Sequence, residues 1–195
     1  MPSLILLLGG VHCAAPERPA ATAVIASGTD LESANPLVTV HPLSRQVQRH
    51  ALFVTLVKLD SLLQPVPYFA RNWNWDIARK TLIFGLTRDL NWHDGVPTTA
   101  ADVVFTFNSV RDKQLGSPRA GDLSAVNSVK ATNDSTVEFE FNAPQPTLPI
   151  VFAELPLVPA HLLDTVPLAR WRSSSFATNP IGNGPYKFAE RVAGR

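Results

Sequence analysis

The sequence predicts a mixed α/β fold of the α+β kind, and three observations carry that prediction. Apolar residues recur at period two in Leu82, Phe84 and Leu86 and again in Val137, Phe139 and Phe141, the pattern of half-buried strands. They recur at helical spacing in Val103, Val104, Phe107 and Val110. The strands and helices do not alternate regularly, as a doubly wound parallel sheet would require. With 45% hydrophobic and 17% charged residues in 195, the chain has the apolar material for a core. Its 17 prolines fall mostly between apolar runs, so the elements are expected to be short and the loops many.

Leu4 to Leu8 are continuously apolar and lead through Gly9 and Gly10 to small residues and proline around Cys13. This is the outline of a secretory signal, although no basic residue precedes it. The run is shorter than the ~20 apolar residues that span a bilayer. Cys13, the one cysteine, has no internal disulfide partner. It has two readings: an acylated residue anchoring the chain to a membrane, or an ordinary small residue near a mis-set start or in a buried strand. Gly10 and His12 stand where a lipoprotein signal wants an aliphatic and a small residue.

Thr22 to Ser27 reads as a buried strand, ended by Gly28 and by a polar loop that runs to Asn35-Pro36. Ser44 to Val57 reads as an amphipathic helix with Ser44 as N-cap, its apolar positions being Val47, Ala51, Val54 and Val57. Trp73 and Trp75 fall on one face of a strand that pairs with Thr81–Arg88 across a turn at Ile77 to Lys80. Asn91 to Pro97 closes a turn, and Thr98 or Thr99 caps a helix from Ala100 to about Asp112, with Asp102 complementing its dipole. Strands are expected at 126–131 and 136–141 around Asn133-Asp134, and short helices at 148–153 and 159–164. The glycine-rich turn from Asn179 to Phe188 is expected to lead into a further strand.

In this order the motifs resemble family 5 of the bacterial extracellular solute-binding proteins, the oligopeptide, dipeptide and nickel binding components of ABC importers. The run Asn91-Trp92-His93-Asp94-Gly95, followed by Pro97-Thr98-Thr99-Ala100-Ala101-Asp102-Val103-Val104-Phe105-Thr106-Phe107, carries the resemblance most strongly. Leu59-Asp60 with Pro65-Val66-Pro67, and Asn179-Pro180-Ile181-Gly182-Asn183-Gly184-Pro185-Tyr186, support it. The resemblance covers about residues 22 to 192. It implies a partial periplasmic-binding-protein type II-like fold, an incomplete first lobe plus a small accessory domain. The divisions expected are a signal-like segment at 1–21, first-lobe strand and loop at 22–44, accessory domain at 45–164, and a return to the first lobe at 165–195.

The resemblance implies solute capture without catalysis, and a monomer that delivers a small solute such as an oligopeptide to ABC transporter permease subunits outside the cytoplasm. No cofactor and no catalytic residue are expected. The 17 basic and 16 acidic residues give a net charge of +1 without blocks of one sign, so nucleic acid is not an expected partner. The alternatives are a standalone protein-interaction module or a non-functional truncated product.

Asp30 and Glu32 are the candidate ligand-binding residues: they follow a first-lobe strand, where a carboxylate pairs with a peptide's α-ammonium by a charge-assisted bond. Solvated loop acids are the plain alternative. His93 and Asp94 carry imidazole and carboxylate, but adjacent turn residues do not converge on one ion, so no metal site is expected. Asp94 is expected to bond backbone N–H groups, and Gly95 to take a positive φ. Trp73, Trp75 and Trp92 are expected in the core rather than stacked on a ligand.

Overall fold

A computed structural model describes residues 27–192. Cys13, the signal-like segment and the Thr22–Ala26 part of the first expected strand lie outside the described residues. The order of elements is α1 (Pro42–Val47, prolonged by a π-helical turn Gln48–Leu52), β1 (Val57–Leu59), β2 (Pro65–Pro67), β3 (Ala70–Trp75), β4 (Thr81–Leu86), α2 (Ala100–Arg111), β5 (Val126–Asn133), β6 (Thr136–Phe141), α3 (Val151–Glu154) and α4 (Ala160–Leu163). The mix of antiparallel strands with separate helices is the α+β arrangement expected.

β3, β4, β6 and β5 form one antiparallel sheet in that order, while β1 and β2 pair separately. Alternation decides which face is wet. Leu82, Phe84, Leu86, Val137, Phe139 and Phe141 are buried, whereas Ile83 is exposed and Glu138 and Glu140 are half-buried. On the buried face Phe84, Phe107, Phe139 and Phe152 bring together β4, α2, β6 and α3. Ring centroids lie 4.8 Å apart for Phe107 with Phe139 and for Phe139 with Phe152, both edge-on. Edge-to-face packing sets the positive ring edge against a negative face and adds about 0.5–1.5 kcal/mol per pair beyond burial.

The α2 expectation holds in detail. The Thr99 hydroxyl accepts from the Ala101 amide at 3.3 Å and the Asp102 carboxylate accepts from the Thr99 amide at 2.9 Å, completing a capping box. Asp102 also does something no local pattern shows: it is buried, and its other oxygen accepts from the Ala160 amide at 2.9 Å, holding the start of α4. In the β3–β4 turn, Asp76 accepts from the amides of Lys80 and Thr81, and Arg79 takes φ 53°.

Two expectations are corrected. The helix from Ser44 starts two residues earlier and ends five earlier: Pro42 opens it, His41 is the N-cap, and the chain is extended from Phe53. Leu52 to Val57 are all buried, so this run has no polar side to give an exposed helix, and its β-branched residues lead into β1. Ser44, instead of capping, is buried and its hydroxyl accepts from the Glu32 amide at 2.9 Å. The Asn179–Phe188 turn leads into no strand among the described residues. Its amides bond in sequence to the α1 end instead, Asn183 and Gly184 to the Leu52 carbonyl and Tyr186 to that of Ala51.

Candidate functional site

The 27–44 segment carries the two candidate carboxylates. Asp30 is exposed and accepts from the Arg191 guanidinium at 3.1 Å, which joins the two ends of the described chain. Glu32 is two residues on, and its carboxylate accepts from the Thr39 hydroxyl. Its backbone amide is tied to Ser44. Both acids are exposed, but each already has a partner. Neither Arg191 nor Thr39 was predicted from the sequence. The Thr39 spacing of seven has no helical or strand meaning in a loop, and Arg191 lies 161 residues from Asp30.

The Asn91–Pro97 turn is bonded to the Gly182–Gly184 turn. The His93 amide donates to the Gly182 carbonyl at 2.7 Å, and its Nε2 bonds the Gly184 carbonyl at 2.9 Å. Asn183, buried between them, accepts from the Val54 amide at 3.0 Å and reaches the Thr98 hydroxyl at 3.4 Å. The glycines are dictated by proximity: a Cβ on Gly182 would stand 2.0 Å from the Leu52 carbonyl oxygen, and one on Gly184 would stand 2.5 Å from that of Ala51. His93 is thus a structural clasp on the Gly182–Gly184 turn.

Asp94 accepts from the Val96 amide at 3.2 Å, and Gly95 has φ 95°, both as the turn chemistry requires. The partner that sequence reasoning missed is His161 of α4, whose Nε2 lies 2.8 Å from the Asp94 carboxylate. Partial burial pushes the Asp94 carboxyl up, but the His161 bond and the Val96 amide outweigh it and hold it below the usual aspartate range. Trp92 is buried with its ring 6.2 Å from His161, and Trp73 and Trp75 pack on Phe84 and Phe141 at 6.2 and 5.3 Å. Trp92 lies in the core as expected, whereas Trp73 and Trp75 are half-buried and pack against it. Among the described residues, no group of three or more histidine, cysteine and acidic side chains is placed to hold a metal.

The family model of bacterial extracellular solute-binding proteins, family 5 Middle, matches residues 64–195, about two thirds of the chain. The chain belongs to that family. Its members act by binding solute and not by catalysis, in keeping with the structural roles of His93 and Asp94. A Brucella ovis protein named as a peptide-binding protein of an ABC transporter is 29% identical over 199 residues, covering 98% of this chain and 37% of its own length. The oligopeptide-binding protein AppA of Bacillus subtilis, solved with a nonapeptide, superimposes with a TM-score of 0.79 at 25% identity, over 84% of this chain and 32% of its own. NikZ of Campylobacter jejuni, solved with Ni(L-His), gives 0.73 at 27% identity, over 85% and 32%. The chain thus spans about a third of the length of these relatives.

Proposed function

We propose that this chain supplies part of the solute-binding component of an ABC importer, with peptides as the solute class. The observation that carries the reading is the superposition on a nonapeptide-binding protein over 84% of the chain, in a family defined by solute binding. In this reading residues 22–44 and 165–195 belong to a ligand-facing lobe and residues 45–164 form an accessory domain. The Gly182–Tyr186 turn, bonded to Ala51, Leu52 and His93, is the seam between them. Capture is by closure of two lobes on the solute and delivery to permease subunits outside the cytoplasm. Cys13, if acylated, would anchor the protein to the membrane surface.

Asp30 and Glu32 are the residues we assign to a peptide's α-ammonium. Asp30 is the more available of the two, because its side chain stays 45% exposed beside Arg191 and an ammonium can share the carboxylate. The test is calorimetric titration with a peptide of free amino terminus and its N-acetylated form. The titration uses this sequence within a protein of its relatives' full length. The free peptide should bind more tightly, and Asp30→Asn should remove that preference about tenfold, the effect of losing one charge-assisted bond of roughly 1.5 kcal/mol. Equal affinity of both peptides for wild type and variant would sink the assignment, and no peptide binding at all would sink the functional reading.

A further inference from the structure

A concavity of about 240 Å³ lies between α1 and the end of α3, and neither carboxylate assigned to solute lines it. Three guanidinium groups meet one carboxylate there. Arg45 donates to Glu154 at 2.6 Å, Arg49 donates to its other oxygen at 3.1 Å, and Arg119 stands 3.9 Å away. Gln46 and Gln48 complete the polar lining.

The charges do not balance. Arg45 and Arg49 are spaced by four along the helical segment, an arrangement that costs helix stability between like charges. The Arg119 side chain is 5% exposed and is held in place by Asp122 at 2.9 Å and by the Glu154 backbone carbonyl at 2.8 Å. Burial pushes its guanidinium pKa down, and the positive charge of Arg45 adds to that depression against the pull of Asp122 and Glu154. Even with Asp122 counted, three cations face two anions. Arg45 spends one nitrogen on Glu154 and keeps the rest of its donor fork for another acceptor.

We propose that this concavity binds a single oxyanion group, a carboxylate or a phosphate, held by the open donors of Arg45 and by Arg49, which exchanges its contacts to His50 Nε2 at 3.3 and 3.2 Å for the anion, with Arg119 as the buried charge behind them. Planar guanidinium forks match such oxygens pairwise, and an anion here relieves the repulsion among the three arginines. The volume falls below the roughly 300–1,000 Å³ of sites that enclose a whole small molecule, so the concavity takes a head group and not an entire peptide. The inference is independent of the peptide reading, since none of its residues carries the Asp30 and Glu32 assignment.

Calorimetric titration of the 195-residue chain with inorganic phosphate and with succinate, at ionic strength fixed by sodium chloride, tests it. Saturable binding of either is expected, weakened at least tenfold in the double variant R45Q/R49Q, and the anion that binds names the source. In E154Q, which removes the competing carboxylate, affinity should rise severalfold. The proposal is overturned if neither anion saturates, if R45Q/R49Q binds as the parent does, or if E154Q that is folded by circular dichroism binds no more tightly. R45Q/R49Q alters side chains that are 38% and 28% exposed, so it keeps the test open should E154Q fail to fold.

Discussion

Substituting Gly184 by alanine puts a methyl group where two other backbone segments already are. The added Cβ would lie 2.5 Å from the Ala51 oxygen, 2.6 Å from the Leu52 carbonyl carbon and 2.7 Å from the Phe53 nitrogen. Ordinary contacts between such atoms need about 3.5 Å, so the turn must retreat by roughly 1 Å. None of the three obstacles is a side chain that swings away. Retreat stretches the bonds that hold the turn: Gly184 to Leu52 at 2.9 Å, Asn183 to Leu52 at 3.1 Å and His93 to Gly184 at 2.9 Å. Loss of two of these three bonds at about 1 kcal/mol each, with overpacking strain of about 1–3 kcal/mol, gives a loss of about 3–5 kcal/mol. For a domain of this size each kcal/mol moves the melting temperature by about 2–4 °C, so Gly184→Ala should melt about 6–20 °C below the parent by circular dichroism. Gly121→Ala, where an added Cβ meets nothing within 4 Å, is the control and should change stability by less than about 0.5 kcal/mol. If the two variants melted together, the close approach of the turn to α1 would not be what fixes glycine at position 184.

Two further outcomes follow from backbone strain and from titration. Leu63, exposed at the tip of the β1–β2 hairpin, has φ 59°, a conformation costing a side-chain-bearing residue about 1–2 kcal/mol, so Leu63→Gly should stabilise by about 0.5–1 kcal/mol in urea unfolding after glycine's entropy is subtracted. The Asp94 carboxyl is held below its unfolded value, so the Asp94–His161 contact contributes fully above the unfolded pKa of about 3.9 and is lost as pH falls through the lower folded value. Thermal melting between pH 2 and 6 should therefore show Asp94→Asn less stable than the parent near pH 5–6, with the gap closing below about pH 4; a gap constant over that range would refute the linkage.

The candidate site was only half legible in the chain. Asp30 and Glu32 could be read from their place after a strand-like run, but Arg191 and Thr39, which occupy them, could not. The same holds for the arginine concavity: Glu154 lies 109 residues from Arg45 and 105 from Arg49, and no local pattern pairs them.

What the sequence by itself determined is whatever rests on neighbours within a few residues. Period-two alternation placed β4 and β6 and their buried faces, and helical spacing with a threonine cap placed α2, because these signals are satisfied inside one element. Only the tertiary structure decided where α1 stops. Residues 53–57 suit a helix by spacing alone, yet they are enclosed on every side and leave the helix as extended chain leading into β1. It also decided why Gly182 and Gly184 are glycine. Read locally they make a turn, but what excludes a side chain is the backbone of Ala51 to Phe53, more than 120 residues earlier in the chain. Hydrogen bonds and close contacts form between whatever the folded path brings together, so His93 with Gly184, Asp94 with His161 and the three arginines with Glu154 exist only once that path is complete.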